Sequence, residues 1–107
     1  MKILKFSPEL VPIILNGSKT STWRLFDDKN LTEDDKLSLV NRETLKEFAK
    51  AKITSVKQTT FGKLTKEDKD GHESFKNDKK MYETYSHYYN CDINKTTPLK
   101  IIRFQLM

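Results

Sequence analysis

Gly17-Ser18-Lys19-Thr20-Ser21-Thr22-Trp23-Arg24 decides how this chain is read. It sets six polar or charged residues between an apolar, helix-like segment and a β-prone one. Lys19 and Arg24 bracket three hydroxyl side chains. The run follows directly on a helix end, where a rigid scaffold presents a loop. A solvated connection would have the same composition, so spacing has to carry the functional reading. In an extended chain Thr20, Thr22 and Arg24 share one face, and Ser21 and Trp23 share the other. Lys19 and Thr22 converge on one pocket only if Lys19 lies in the turn after Gly17, and glycine makes such a turn cheap. Lys19, Thr22 and Arg24 are therefore expected to reach one pocket, with Ser21 and Trp23 pointing away.

Upstream, residues 2–6 (KILKF) alternate and read as a strand. Ser7-Pro8-Glu9 reads as a helix start, with Ser7 as cap, Pro8 in the first helical position and Glu9 near the positive end of the dipole. Leu10, Val11, Ile13, Ile14 and Leu15 give that helix a broad apolar face, and Asn16-Gly17 ends it.

Downstream, residues 20–25 read as a strand, 26–35 as an acidic loop, and 37–40 as a short strand. Residues 41–46 look like a hairpin connection. In residues 47–58 Ala49, Ala51 and Ile53 alternate with Lys50, Lys52 and Thr54, as in a long strand with one solvent face. Leu64-Thr65 opens a short helix and Asp78 a second one reaching Tyr89. Met81, Tyr85, Tyr88 and Tyr89 fall at the spacing of a buried stripe, with Tyr82 off its central line. A closing strand runs from Leu99 to Leu106, with Ile102, Phe104 and Leu106 on one face. The expected fold class is α+β: one domain over residues 1–107, a small mixed β-barrel flanked by two or three short helices. Short strands close in this way because closure removes exposed edges.

Gly17-x-Lys19-x-x-Thr22-x-Arg24 resembles the G-x-K-x-x-T-x-R signature of the ASCH family, whose barrel is similar to the PUA fold. The likeness extends over nearly the whole chain: opening strand and helix, signature, long strand, Leu-Thr helix start and final strand stand in family order. Two turns depart from it. Asp34-Asp35 stands where the family often has Gly-Asp, and the hairpin near Leu45 lacks the usual glycine. The resemblance implies an RNA or pyrimidine nucleoside ligand. Small bacterial members look like amidohydrolases that remove the acyl group of N4-acetylcytidine. By position it implies catalytic roles for Lys19, Thr22 and Glu73, with Glu67 as fallback and His72 one residue away from the expected place. Ligand contacts are expected from Gly17, Ser18, Thr20 and Arg24, and from Tyr82, which falls off the central line of its helix. A non-catalytic RNA-binding module and a ribonuclease are the rival functions.

Chemistry limits these roles. A threonine hydroxyl is a weak nucleophile without an adjacent base. A lysine is a base only when desolvated enough to lose its proton. If Glu73 lies beside Lys19, the carboxylate is the better proton shuttle and the ammonium the oxyanion stabiliser. If they are apart, Lys19 can activate Thr22. Arg24 either meets a ligand carbonyl or phosphate or pairs with Asp27 or Asp28. Trp23 and Phe6 are expected in the core, though either can offer a face to a base.

Composition narrows the partners. The net charge is +5, with 33% charged residues and 10% aromatic ones among 107. Residues 1–24 carry four basic and one acidic residue (+3), residues 25–60 seven of each, and residues 61–107 nine basic and seven acidic (+2). That excess fits an anionic ligand or plain solubility. The single cysteine, Cys91, excludes an internal disulfide and a multi-cysteine metal site and reads as structural. His72 and His87 lack metal-ligand spacing, so neither metal nor cofactor is expected. A cytoplasmic monomer without a membrane span is the simplest reading.

Overall fold

The computed structural model describes residues 1–107. Its framework is one mixed five-stranded sheet: β1 (Lys2–Phe6), β2 (Ser21–Arg24), β3 (Lys36–Asn41), β4 (Glu47–Thr60) and β5 (Pro98–Leu106), in the order β1-β3-β4-β5-β2. β1 and β3 are parallel, and every other pairing is antiparallel. The sheet curls into a half-barrel flanked by three short helices: α1 (Val11–Leu15), α2 (Lys66–Lys69) and α3 (Asp78–Tyr89). This is the expected PUA-like α+β form.

β4 is long enough to pair with both neighbours because it is bent. Ile53 pairs with Phe104 but Ser55 pairs with Arg103, so Thr54 is an extra residue in the ladder. The bulge reverses the alternation, and Val56 rather than residue 55 packs inward. One core fills the inside of the half-barrel, with Leu4, Phe6, Leu39, Ile53, Ile102 and Phe104 among its members. A second lies beneath α3, where Trp23, Phe61, Met81, Tyr85, Leu99 and Ile101 meet. Odd and even residues of β5 thus serve different cores, as a strand covered on both faces must.

Several local expectations are corrected. Pro8–Leu10 is a separate 3-10 turn ahead of α1, and the Ser7 side chain makes no capping bond. α3 is capped by Asn77, which accepts from the Lys80 N–H; Asp78 is its first residue. Tyr88 leaves the buried stripe and is 43% exposed, since only Met81 and Tyr85 of α3 face the sheet squarely. Cys91 is exposed rather than structural. The Leu64-Thr65 start is observed as read: Thr65 and Asp68 form a reciprocal capping box on α2.

Both departures from the family pattern fall on left-handed backbone. Asp34 has φ 70° and Leu45 has φ 61°. These are conformations a glycine adopts without steric penalty, and here residues with side chains hold them. No helix is long and apolar enough to cross a membrane.

Candidate functional site

Gly17 sets the site in motion. With φ 86° it turns the chain out of α1, and the Lys19 N–H then donates to the Ile13 carbonyl at 2.9 Å. This hook directs the Lys19 side chain inward, where it is 2% exposed. Its ammonium meets the Glu73 carboxylate at 2.5 Å.

Glu73 arrives from 54 residues away by a chain of backbone contacts. Arg103 of β5 donates to the carbonyls of Asp70 and Glu67 at 3.0 and 2.5 Å, holding the end of α2 against the sheet. The Gly71 carbonyl next accepts from the N–H groups of Thr20 and Ser21, at 2.8 and 3.1 Å. Gly71 has φ 74°, and a Cβ there would stand 2.2 Å from the Thr20 hydroxyl oxygen. Only glycine fits that approach, and the approach places His72 and Glu73 beside Lys19.

His72 is the residue that sequence reasoning undervalued. Its ring stacks on Trp23, centroids 3.8 Å apart and planes 11° from parallel. Burial lowers its pKa to about 4, and Lys19 adds to that, so the ring is neutral at pH 7. Its Nδ1 lies 2.9 Å from the Glu73 carbonyl, which can only accept. Nδ1 therefore carries the proton, and Nε2, 3.2 Å from the Tyr85 oxygen, accepts from that hydroxyl. The imidazole thus fixes the backbone of Glu73. The one sequence signal for it was the His-Glu dipeptide after a glycine.

Charge in the site follows from these contacts. Burial pushes the Glu73 carboxyl upward, but the Lys19 ammonium and its hydrogen bond outweigh that, leaving its pKa below the ordinary glutamate value. Burial lowers Lys19, and Glu73 opposes the change. With Glu73 ionised, the proton stays on Lys19; a neutral amine would strip the carboxylate of its charged donor.

A cavity of about 250 Å³ opens along the free edge of β2, lined by Lys19, Thr22, Trp23, Arg24, His72 and Glu73 and walled by Phe6, Phe75, Tyr85, Tyr88 and Tyr89. β2 pairs only with β5, so residues from both of its faces reach the open edge. That corrects the expected exclusion of Trp23. Ser21 does point away and is fully buried. The Thr22 hydroxyl accepts from Arg24 Nε at 3.2 Å, its only hydrogen-bond partner, which leaves its proton free to donate. No base stands beside it. Arg24 also donates to the Lys5 carbonyl at 3.1 Å and lies over the Phe6 ring. It pairs with neither Asp27 nor Asp28, since Asp27 goes to Lys100 at 2.7 Å.

The remaining candidates lie elsewhere. Gly17, Ser18 and Thr20 are exposed outside the cavity lining, shaping the turn and the Gly71 contact. Tyr82 packs edge-on against Phe61, and Glu67 contributes only its backbone carbonyl to Arg103. No three His, Cys, Asp or Glu side chains are grouped closely enough to hold a metal ion.

No family model matches this sequence, and no curated protein matches it. Solved structures do match its shape. An ASCH domain from Lactobacillus crispatus aligns with 98% of this chain and 79% of its own, at 13% identity and a TM-score of 0.70. An ASCH protein from Zymomonas mobilis aligns with 96% of this chain and 65% of its own, at 14% identity and a TM-score of 0.67. A hypothetical protein aligns over 100% of both chains at 19% identity, with a TM-score of 0.75. The fold of this chain is that of the ASCH domains, a small α+β fold of the PUA-like kind.

Proposed function

We propose that the cavity beside β2 binds an N4-acylated cytidine-type nucleoside and hydrolyses its exocyclic amide. The observation that carries this reading is the pairing of buried Lys19 with part-exposed Glu73, 2.5 Å apart, on the wall of an aromatic cavity. Aromatic walls suit a planar base. The volume of about 250 Å³ lies just under the usual small-molecule range of roughly 300–1,000 Å³. It fits a base and a short acyl group, with the ribose at the mouth.

The chemistry follows from the charges. Ionised Glu73 takes a proton from a water molecule as its oxygen attacks the acyl carbon. The carbonyl oxygen becomes an oxyanion, stabilised by the Lys19 ammonium and a hydrogen bond from the Thr22 hydroxyl. Glu73 then returns the proton to the exocyclic nitrogen as the C–N bond breaks. The products are the 4-amino nucleoside and a carboxylic acid. Thr22 acts as a donor rather than a nucleophile, because its hydroxyl is hydrogen-bonded only to the Arg24 guanidinium and to no base. His72 is a positioning residue, holding Glu73 by its carbonyl.

Purified protein incubated with N4-acetylcytidine, with cytidine release followed by chromatography, tests the proposal. Turnover abolished by Glu73→Gln is expected. Absence of turnover by folded wild-type protein would overturn it for this substrate.

A further inference from the structure

We propose that Arg24 and Arg42 form a phosphate subsite at the mouth of the cavity, so that the ligand enters as a nucleotide or as part of a strand. The inference rests on the nucleoside reading above and extends it.

Both arginines are anchored to the end of β1. Arg24 donates to the Lys5 carbonyl at 3.1 Å and its guanidinium lies 4.8 Å from the centre of the Phe6 ring. The Arg42 N–H donates to the Phe6 carbonyl at 2.8 Å. The Arg42 guanidinium lies 4.4 Å from the centre of the Tyr88 ring and is hydrogen-bonded to the Tyr88 hydroxyl. Tyr88 and Arg24 in turn line the same cavity. One guanidinium thus lines the cavity, and the other lies over the ring of a residue that lines it.

Neither arginine has a counter-ion. None of the ion pairs of the chain includes either of them. Glu9 is the other acid besides Glu73 that lines the cavity, and it pairs with no cation; Glu73 is taken by Lys19. Burial lowers the pKa of Arg24; Tyr89, Tyr88 and Tyr85 oppose that change, and the charge of Arg42 adds a smaller push in the same direction as burial. Arg42 is exposed, so its placement over Tyr88 is a choice of the side chain and not an enforced packing. Two guanidinium forks match the charge and oxygen geometry of a phosphate ester better than a carbonyl would.

The test uses the full chain labelled with 15N, with the arginine Nε–H signals followed during titration at low salt. The probes are inorganic phosphate, cytidine, cytidine 5′-monophosphate and a cytidine-containing tetranucleotide. The nucleotide is expected to bind at least about tenfold more tightly than cytidine. It should shift both arginine signals, and its advantage should shrink with added salt. Arg42→Gln should remove most of that advantage. A tetranucleotide that binds more tightly than the mononucleotide identifies a strand as the source of the phosphate; the reverse identifies a free nucleotide.

Equal affinity for cytidine and its monophosphate would overturn the subsite and leave the nucleoside reading standing. So would an advantage that survives both salt and Arg42→Gln. Inorganic phosphate that moves both arginines while neither cytidine nor its monophosphate enters would keep an anion seat and overturn the nucleoside reading. If no probe moves either arginine, the subsite is overturned, whether or not cytidine enters the cavity.

Discussion

The indole of Trp23 and the imidazole of His72 stack 3.8 Å apart, 11° from parallel, and this contact joins the signature strand to the segment bearing Glu73. Trp23 is the only tryptophan of the chain. Its fluorescence therefore reports directly on the state of the neighbouring ring.

That contact makes stability depend on pH in a defined window. His72 has a folded pKa of about 4 against an ordinary value of 6.5. Between these values the unfolded chain binds more protons, so stability is present above about pH 6.5 and is lost as the pH falls toward 4. The full gap is worth roughly 3 kcal/mol for this buried ring. Denaturant unfolding from about pH 7 down to about pH 4.5 should show most of the loss. His72→Gln should flatten it. A wild-type stability that does not change over that window would refute the assignment of a buried neutral His72.

Glu73 and Lys19 set the activity profile. Glu73 must be ionised to accept a proton, and its pKa lies below the ordinary 4.5; Lys19 must be protonated, and its pKa lies below the ordinary 10.5. kcat/KM should hold a plateau through neutral pH, with an acid limb below 4.5 and an alkaline limb below 10.5. Lys19→Ala should lower kcat by about 10²–10³-fold, the magnitude for loss of one oxyanion donor. A Lys19→Ala enzyme with unchanged kcat would exclude the ammonium from the transition state.

Gly71 bears on both fold and site. Gly71→Ala puts a methyl group 2.2 Å from the Thr20 hydroxyl oxygen on backbone at φ 74°, so the Thr20 side chain or the backbone must shift and the new side chain sits in strained left-handed geometry. A loss of about 2 kcal/mol or more in thermal or denaturant unfolding is expected. The displaced Glu73 should also lower kcat in whatever fraction remains folded. An alanine variant as stable and active as wild type would show that the Gly71–Thr20 approach is not fixed.

Leu45 predicts a gain. It is 64% exposed and holds φ 61° in the β3–β4 hairpin. Left-handed backbone costs a side-chain-bearing residue about 1–2 kcal/mol. Glycine returns roughly 0.5–1 kcal/mol of that through its greater freedom when unfolded. Leu45→Gly should therefore stabilise by somewhat under about 1 kcal/mol, read as a higher denaturation midpoint with unchanged slope. A lower midpoint would mean that the Leu45 side chain makes a contribution its exposure does not reveal.

Much of the architecture was legible in local pattern. Alternation marked β1, β4 and β5, β-propensity marked β2, and Leu64-Thr65 marked the start of α2, because these signals rest on neighbours within a few residues. The cap of α3 was missed by one residue, since Asn77 and Asp78 are both good caps and only geometry chooses between them. The bulge at Thr54 was invisible because it depends on which residues β5 places opposite.

In the site, the turn at Gly17, the inward course of Lys19 and the shared face of Thr22 and Arg24 could be read from residues 17–24 alone. All of these follow from backbone geometry over eight residues. Tertiary structure alone decided that Glu73 rather than Glu67 meets Lys19, that Trp23 lines the cavity instead of leaving it, and that His72 is neutral. The places of Glu73 and His72 depend on the clamp of Arg103 on the end of α2 and the close approach of Gly71 to Thr20, and that of Trp23 on β2 being an edge strand. Those contacts join residues far apart in the chain, and no local periodicity encodes them.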